Sequence, residues 1–494
     1  MSLDEPRRAR GAGARVRLWL SALALAAGLP LAACDRGGPP ATAEAPLQHE
    51  QTTLILKTLA DAPSQGFSPA HFPTAGLEGD LNSDDSGRRA AAQARLTGEI
   101  IAYARAQHGL GLSKSQMDTN WGMRPAKYDA AGEFHAALAQ NRLQPWLASL
   151  PPSDPRYEML RQGYLTYLKL AQNGGWQPVP PGPALRLGSR DVRVQALRQR
   201  LAFEDSTIAQ AAGDQRKAAA PFDAALAHAV ARFQDRHGLK PTGVVDDATL
   251  AALNVPAIAR AAQIRANLER WRWAPRTPAP TRIEVNSVAG TFDLWWDGQP
   301  ALHMLAAAGK PGDETPIVAS AIHTVVLNPT WNVPDSIAQE ELYPKEKSVP
   351  GYFAAHHFTT ENGRLVQQPG PDNALGRVKF MFDNGYSIYL HDTPAKAAFN
   401  QAQRSVSHGC VRLQHAVELA QFLLGHELGW PPEKLDEALS GTETQNVNLP
   451  QRIPVEIFYW TAFVQGNQVS FRDDIYGWDQ ELLRQLDASG ASRA

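Results

Sequence analysis

Two stretches, RVKFMFDNGYSIYLH (377–391) and SVSHGCVRL (405–413), decide the reading of this chain. In the first, Asn384-Gly385 sits between two alternating runs. That predicts a two-residue hairpin, since a type I′ turn needs positive φ at both central positions. The return strand YSIYLH then puts Tyr389 and His391 on one face and Ile388 and Leu390 on the other. His391 arrives at a strand end, a rigid place for a base. In the second stretch Gly409 permits a tight backbone and close approach before Cys410. The segment QHAVELAQFLLGHEL (414–428) reads as a helix with Val417, Leu419, Ala420, Leu423 and Leu424 as its apolar residues. This places Cys410 just before a helix, where free N–H groups and the dipole favour a thiolate. A cysteine with a histidine from a neighbouring strand is the minimal activated nucleophile, which points to acyl transfer or peptide hydrolysis. The bland alternative is a buried cysteine beside a packing histidine.

Only two cysteines occur in the 494 residues, and the other one is Cys34. Residues 1–33 read as an export signal, with Arg7, Arg8, Arg10, Arg15 and Arg17 before an apolar run too short for a comfortable membrane span. The run ends in Leu31-Ala-Ala-Cys34, which resembles a bacterial lipobox and implies that Cys34 becomes a lipidated first residue. A signal-region cysteine without lipid is the alternative. With Cys34 acylated, Cys410 has no disulfide partner in the chain. An unpaired thiol in an oxidising compartment is better explained by chemistry than by packing.

At 43% hydrophobic and 20% charged, the remainder can bury good-sized cores in two or three domains. The chain carries −2 overall and the first 33 residues +3, so the rest carries about −5; nothing suggests a nucleic-acid partner. The Pro/Gly/Ala-rich segment 34–50 is a tether. Residues 51–182 show apolar spacing at i, i+3, i+4 and i+7 and read as a helical scaffold without a catalytic cluster. Residues 183–255 form a compact module: Val194, Leu197 and Leu201 share one helical face and Leu226, Val230 and Phe233 another. Gly238 is a C′ stop and Asp246 an N-cap, giving three short helices. From 256 to 482 the helix IRANLERWRW, with Ile264, Leu268 and Trp271 on one face, gives way to strands RIEVNSV, TFDLWW, ALHMLAAAG and AIHTVVLNPTW. Residues 483–494 read as a tail. The long polar segment of about 335–376 reads as a lid, or alternatively as a loosely ordered insertion.

Taken together, these features predict a multidomain α+β chain: helical scaffold, small three-helix module and mixed β-rich catalytic domain. AVARFQDRHGLKPTGVVDDATLAALN (229–254) resembles the type 1 peptidoglycan-binding domain. His391, a gap of fifteen residues, then Ser407-His408-Gly409-Cys410-Val411-Arg412 resembles the signature of the L,D-transpeptidase (YkuD-type) catalytic domain. NLERWRW, GKPGDETP, NPTWNVP, PGPDNALGRVKF and YLHDTP extend that resemblance to the long, multidomain Gram-negative members. It implies that Cys410 attacks the meso-diaminopimelate carbonyl of a tetrapeptide stem, releases D-Ala through a thioester and passes the acyl group to an amine, giving a 3→3 crosslink. His391 would be the base, oriented by the carbonyl of Asp392. His408 would line the nucleophile loop, and N–H groups around Gly409 and Cys410 would form the oxyanion hole. Tyr389 would bound the substrate channel with Ser407 beside it, and Arg412 would meet a stem carboxylate or make a structural salt bridge. Trp331 and Asn332 would wall the pocket. The implied partners are peptidoglycan stem peptides, the membrane through lipid at Cys34, and cell-wall synthesis proteins; the location is periplasmic, and no cofactor is implied.

Three other readings use the same residues. A cysteine hydrolase would replace the acceptor amine by water, releasing D-Ala or detaching a wall lipoprotein. A zinc site could draw on His391, His408, Cys410 and His415, though no second cysteine or carboxylate motif supports it. A non-catalytic wall-binding lipoprotein would fit the anchor and the module but not the Cys–His pair.

Overall fold

A computed structural model describes residues 46–212 and 221–491. The export signal 1–33, Cys34 and the tether up to residue 45 lie outside the described residues, and the last two positions of the expected tether, His49 and Glu50, already belong to the helix His49–Ala60.

The scaffold is helical as its periodicity predicts. In the helix Ser86–Gln107, Leu96, Ile100, Tyr103 and Ala104 recur on one face and are buried against Phe134 and Trp146 of later helices. Asp85 caps that helix, accepting from the N–H groups of Gly87 and Arg88.

The helix Ala257–Trp273 lies against the helices Pro155–Gln172 and Trp478–Ala491. Only one apolar face was expected of it, yet Arg260, Glu269, Arg270 and Arg272 are buried as well. They are sustained by partners: Arg272 pairs with Glu269 at 2.8 Å, donates to Tyr157 Oη at 3.1 Å and to the Gln65 carbonyl, and lies 4.2 Å from the Phe67 ring centre. Residues 483–491, expected as part of a tail, continue the helix Trp478–Ala491, and Leu482 and Leu486 are buried in this same core.

The small module has four helices among the described residues, not three: Arg193–Ala202, Ser206–Ala212, Ala224–Arg236 and Asp247–Leu253. Gly238, at φ +68°, ends the third, and Asp246 caps the fourth through Thr249 N. A buried carboxylate joins the module to the scaffold. Glu204 accepts from Arg200 at 3.1 Å, from Arg236 at 2.5 Å and from Tyr167 Oη of the scaffold at 3.0 Å.

The β-rich part begins with β1 (Arg282–Asn286), β2 (Thr291–Trp296), β3 (Gln299–Gly309) and β4 (Val318–Leu327). Next come β5 (Trp331–Asn332), β6 (Phe358–Glu361), β7 (Arg364–Gln367), β8 (Val378–Phe382) and β9 (Leu390–His391). It ends with β10 (Ser405–Ser407), β11 (Val411–Leu413), β12 (Gln445–Phe458), β13 (Ala462–Gln465) and β14 (Gln468–Phe471). The strand order β3-β11-β9-β8-β4-β12-β1-β2 closes on itself because β2 also pairs with β3, forming a mixed barrel, and β10 adds parallel to the far end of β3. Alternating residues such as Phe292 and Leu294, or Val378, Phe380 and Phe382, fill its core, and the helix Ala416–Leu428 covers it with Leu419, Leu423 and Leu424.

One expectation, the tight hairpin, needs correcting here. The return strand after Asn384-Gly385 begins only at Leu390, and neither residue has positive φ; Ser387 does, at +57°. The Asn384 carboxamide organises the wider loop, accepting from the N–H groups of Tyr386 and Ile388 and donating to the Phe382 and Ile388 carbonyls. The segment 335–376, read as a polar lid or loose insertion, contains short helices and the strands β6 and β7, which form a three-stranded sheet with β5. Val333, Ala338, Leu342 and Leu365 give it a small core of its own.

On adjacent parallel strands Glu456 stands opposite Glu284. Burial, then the Glu284 charge, pushes the Glu456 carboxyl up to about 7. The folded state therefore keeps a proton that the unfolded chain has already lost. Stability falls as pH rises from the ordinary glutamate range to about 7, with the loss complete above it. Glu456→Gln is expected to abolish that slope and, above pH 7, to stabilise the protein by up to about 3 kcal/mol. Thermal unfolding from pH 4.5 to 8 checks this, and parallel pH profiles for the two proteins would overturn it.

Candidate active site

The site forms where β9, β10 and β11 converge beside the end of β3. β11 runs parallel to β9, with Val411 opposite Leu390 and Arg412 opposite His391, and Ser407 at the end of β10 is opposite Gly309. Gly409 and Cys410 make the corner between β10 and β11. Gly409 has φ +99°, a conformation that L side chains rarely adopt. Ser407 Oγ bridges the corner by donating to the Cys410 carbonyl at 2.5 Å, and Thr315 Oγ1 donates to the Gly409 carbonyl at 2.8 Å.

Cys410 is not at a helix start. The short strand β11 intervenes, and the next helix begins at Ala416. The helix dipole therefore does not account for any activation of this thiol. Burial pushes the Cys410 thiol up, offset in part by the N–H and hydroxyl of Tyr389 and by the charges of Lys379 and Arg412.

His391 is buried, and burial followed by the Arg412 charge lowers its pKa to about 3, so the ring is neutral over the physiological range. Its Nδ1 lies 2.5 Å from the Asp392 carbonyl oxygen. A carbonyl only accepts, so Nδ1 carries the hydrogen and Nε2 keeps a lone pair. The Asp392 carboxylate is engaged elsewhere: it takes Lys396 Nζ at 2.6 Å and Arg377 N at 2.9 Å. It leaves no room for a Cβ at Gly376, which would stand 2.4 Å from Asp392 Oδ2.

A cavity of about 260 Å³ brings most of the expected site residues together. Tyr389, His391, Ser407, His408, Cys410 and Arg412 line it from the barrel. Trp331, Glu341, Tyr352 and Phe358 line it from the insertion side. Asn332 is exposed and outside this lining. His408 Nε2 meets Glu341 at 2.8 Å and Lys310 Nζ at 3.3 Å, fastening the nucleophile loop to the insertion. Arg412 makes no ion pair among the described residues, and its buried Nε has no hydrogen-bond partner.

Two residues of this site escaped the sequence reading. Lys379 is opposite His391 across β8 and β9, and its Nζ lies 3.9 Å from the Tyr389 ring centre; burial lowers its pKa. The available signal was a lone lysine among the alternating apolar residues of RVKFMF. Glu341 had none, since its contact with His408 spans 67 positions. Among the described residues no group of three or more His, Cys, Asp or Glu is arranged to hold a metal ion.

Residues 280–457 match the family model described as the L,D-transpeptidase catalytic domain, 45–164 the scaffold domain, and 190–253 the "Putative peptidoglycan binding domain". A Haemophilus influenzae protein named "Putative L,D-transpeptidase" is 30% identical over 220 residues, covering 40% of this chain and 45% of that relative. The chain thus spans under half the length of the curated relative it matches. Among solved structures, the catalytic domain of an Enterococcus faecium L,D-transpeptidase acylated by ertapenem is 17% identical, with 37% of this chain and 99% of that one covered and a TM-score of 0.20. An L,D-transpeptidase from Xylanimonas cellulosilytica is 18% identical, with 56% and 100% covered and a TM-score of 0.19. TM-scores this low carry no structural argument. The family matches show that residues 280–457 are a YkuD-type L,D-transpeptidase catalytic domain, in a chain that also carries a scaffold domain and a type 1 peptidoglycan-binding domain.

Proposed function

We propose that the protein is a peptidoglycan L,D-transpeptidase that forms 3→3 crosslinks through a thioester on Cys410. The observation that carries this reading is the shared cavity of Cys410 and His391, with the imidazole Nδ1–H held by the Asp392 carbonyl so that Nε2 carries the basic lone pair. In the resting site both partners are uncharged, so His391 takes the thiol proton as sulfur attacks the diaminopimelate carbonyl, and returns it to the departing D-Ala amine. An acceptor amine then attacks the thioester, giving its proton to His391 and restoring the thiol.

The N–H groups of Gly409 and Cys410 have no protein acceptor among the described residues, which suits them to the developing oxyanion. Arg412 offers an unpaired guanidinium to a stem carboxylate. Tyr389 and Trp331 bound the channel, and the folded insertion acts as a lid latched by Glu341 to His408. The peptidoglycan-binding module supports a site of action in the periplasm at the wall.

Incubating the purified protein with disaccharide-tetrapeptide and separating the products by mass tests this. Crosslinked dimers together with free D-Ala are expected. Tripeptide without dimers would make the enzyme a hydrolase, and unchanged substrate would remove the catalytic reading.

A further inference from the structure

We propose that the cleft between the small helical module and the barrel is a second, non-catalytic site, which binds a carboxylate-bearing muropeptide segment of the wall. The choice of ligand rests on the function proposed above; the site itself rests on the cleft. Its volume is about 530 Å³, larger than the Cys410 cavity, and it shares no lining residue with that cavity. The turn 238–241 of the module, the barrel side with the loop 399–404 and β13 of the closing hairpin build it, together with Arg156 and Trp271 of the helices Pro155–Gln172 and Ala257–Trp273.

Two guanidinium groups face one another's field there without a carboxylate partner. Arg404 donates to the carbonyls of Gln401 at 2.8 Å, Ala402 at 3.3 Å, Ala289 at 2.8 Å and Gly290 at 3.2 Å, and its buried Nε has no partner. Arg472 donates to the carbonyls of Arg236 at 3.0 Å and Phe471 at 2.7 Å, 5.1 Å from the Phe463 ring centre. Carbonyls fix these side chains but do not neutralise them. Consistent with that, burial lowers both pKa values, and the Arg404 charge depresses Arg472 further, against a favourable contribution from Asp235.

The carboxylates in the lining do not cancel the pair. Glu284 is held by Arg156 at 2.7 Å and by Arg282 at 2.7 Å, Asp293 meets His303 at 2.7 Å, and Asp235, whose charge acts on Arg472, is exposed and makes no ion pair with it. Phe463, only partly buried, supplies apolar surface to the lining, while Trp271 and Trp460 stack on one another beneath it, 4.5 Å between centres. Fixed, unneutralised guanidiniums beside aromatic faces suit a ligand that combines carboxylates with the apolar faces of sugar rings. A muropeptide has both.

Arg404 is six positions before Cys410, so a strand held here lies within about 20 Å of the thiol. The cleft would raise the local concentration of wall substrate without touching the reacting atoms.

The test uses the full chain with Cys410 capped by a carbapenem, and retention on purified sacculi as the readout. Lys240→Glu combined with Ala402→Glu places two negative charges at exposed positions without removing a side-chain hydrogen bond. Retention is expected to weaken at least ten-fold, and retention of the parent to fall comparably on sacculi whose carboxylates have been amidated. Undiminished retention in either arm would overturn the proposal, as would loss of retention on capping alone. The amidated arm needs no variant, so it stands even if the double variant fails to fold. If the carbapenem adds nothing to Cys410, the catalytic reading fails separately, and the uncapped protein still decides the cleft.

Discussion

Cys410→Ser is expected to give no covalent adduct with a carbapenem in intact-protein mass measurement, and His391→Ala to slow acylation by roughly 10²–10⁴. Burial already holds the Cys410 thiol above its ordinary range, so little thiolate exists at neutral pH without a base to take the proton. A serine hydroxyl in the same place is a far weaker nucleophile. With His391 neutral down to about pH 3, protonation of the base does not limit the acid side. The acylation rate is expected instead to stay flat from about pH 4 up to the ordinary thiol range, because neutral thiol and neutral imidazole are the reacting forms throughout. His408→Ala should be less damaging, since His408 is engaged by Glu341 and Lys310. An adduct persisting on Cys410→Ser, or His408→Ala failing while His391→Ala acylates normally, would overturn these assignments.

Arg272→Ala is expected to cost about 3–5 kcal/mol of stability. The guanidinium is buried and answers Glu269, Tyr157 and the Gln65 carbonyl together. Its removal leaves the Glu269 carboxylate in the interior with Trp273 Nε1, at 3.1 Å, as its remaining donor. Combining Arg272→Met with Glu269→Gln should cost less than Arg272→Ala alone, because no unpaired charge is left behind. Denaturant unfolding separates the cases, and a loss under about 1 kcal/mol for Arg272→Ala would show that the helix does not depend on this pair.

Legibility in the sequence followed the range of the interactions. Alternation in TFDLWW and RVKFMF, and capping residues such as Asp246, are local signals, and the structure has strands and a helix start at those places. The cysteine, the histidine and the pocket residues around them were legible as types at a spacing. Their assembly in one cavity, with Asn332 left outside, was not. The strand β11 is three residues long, too short for a period to declare itself, so the thiol was placed against the following helix. The Asn384 loop deceived for a chemical reason: its carboxamide satisfies the backbone groups that a tight turn would have paired. The burial of the arginines of Ala257–Trp273 was not legible because their partners, from Gln65 to Asp479, are far away in sequence.

The buried Glu204 makes the small module a fixed bracket instead of a swinging leash. Its carboxylate is held at once by two arginines of the module and by Tyr167 of the scaffold, and against the cost of burial the Arg200 and Arg236 charges keep it ionised. Whatever the module grips, it presents to the barrel at one angle. On the crosslinking function proposed above, the geometry of the wall at the protein's surface then selects which neighbouring strands can be joined.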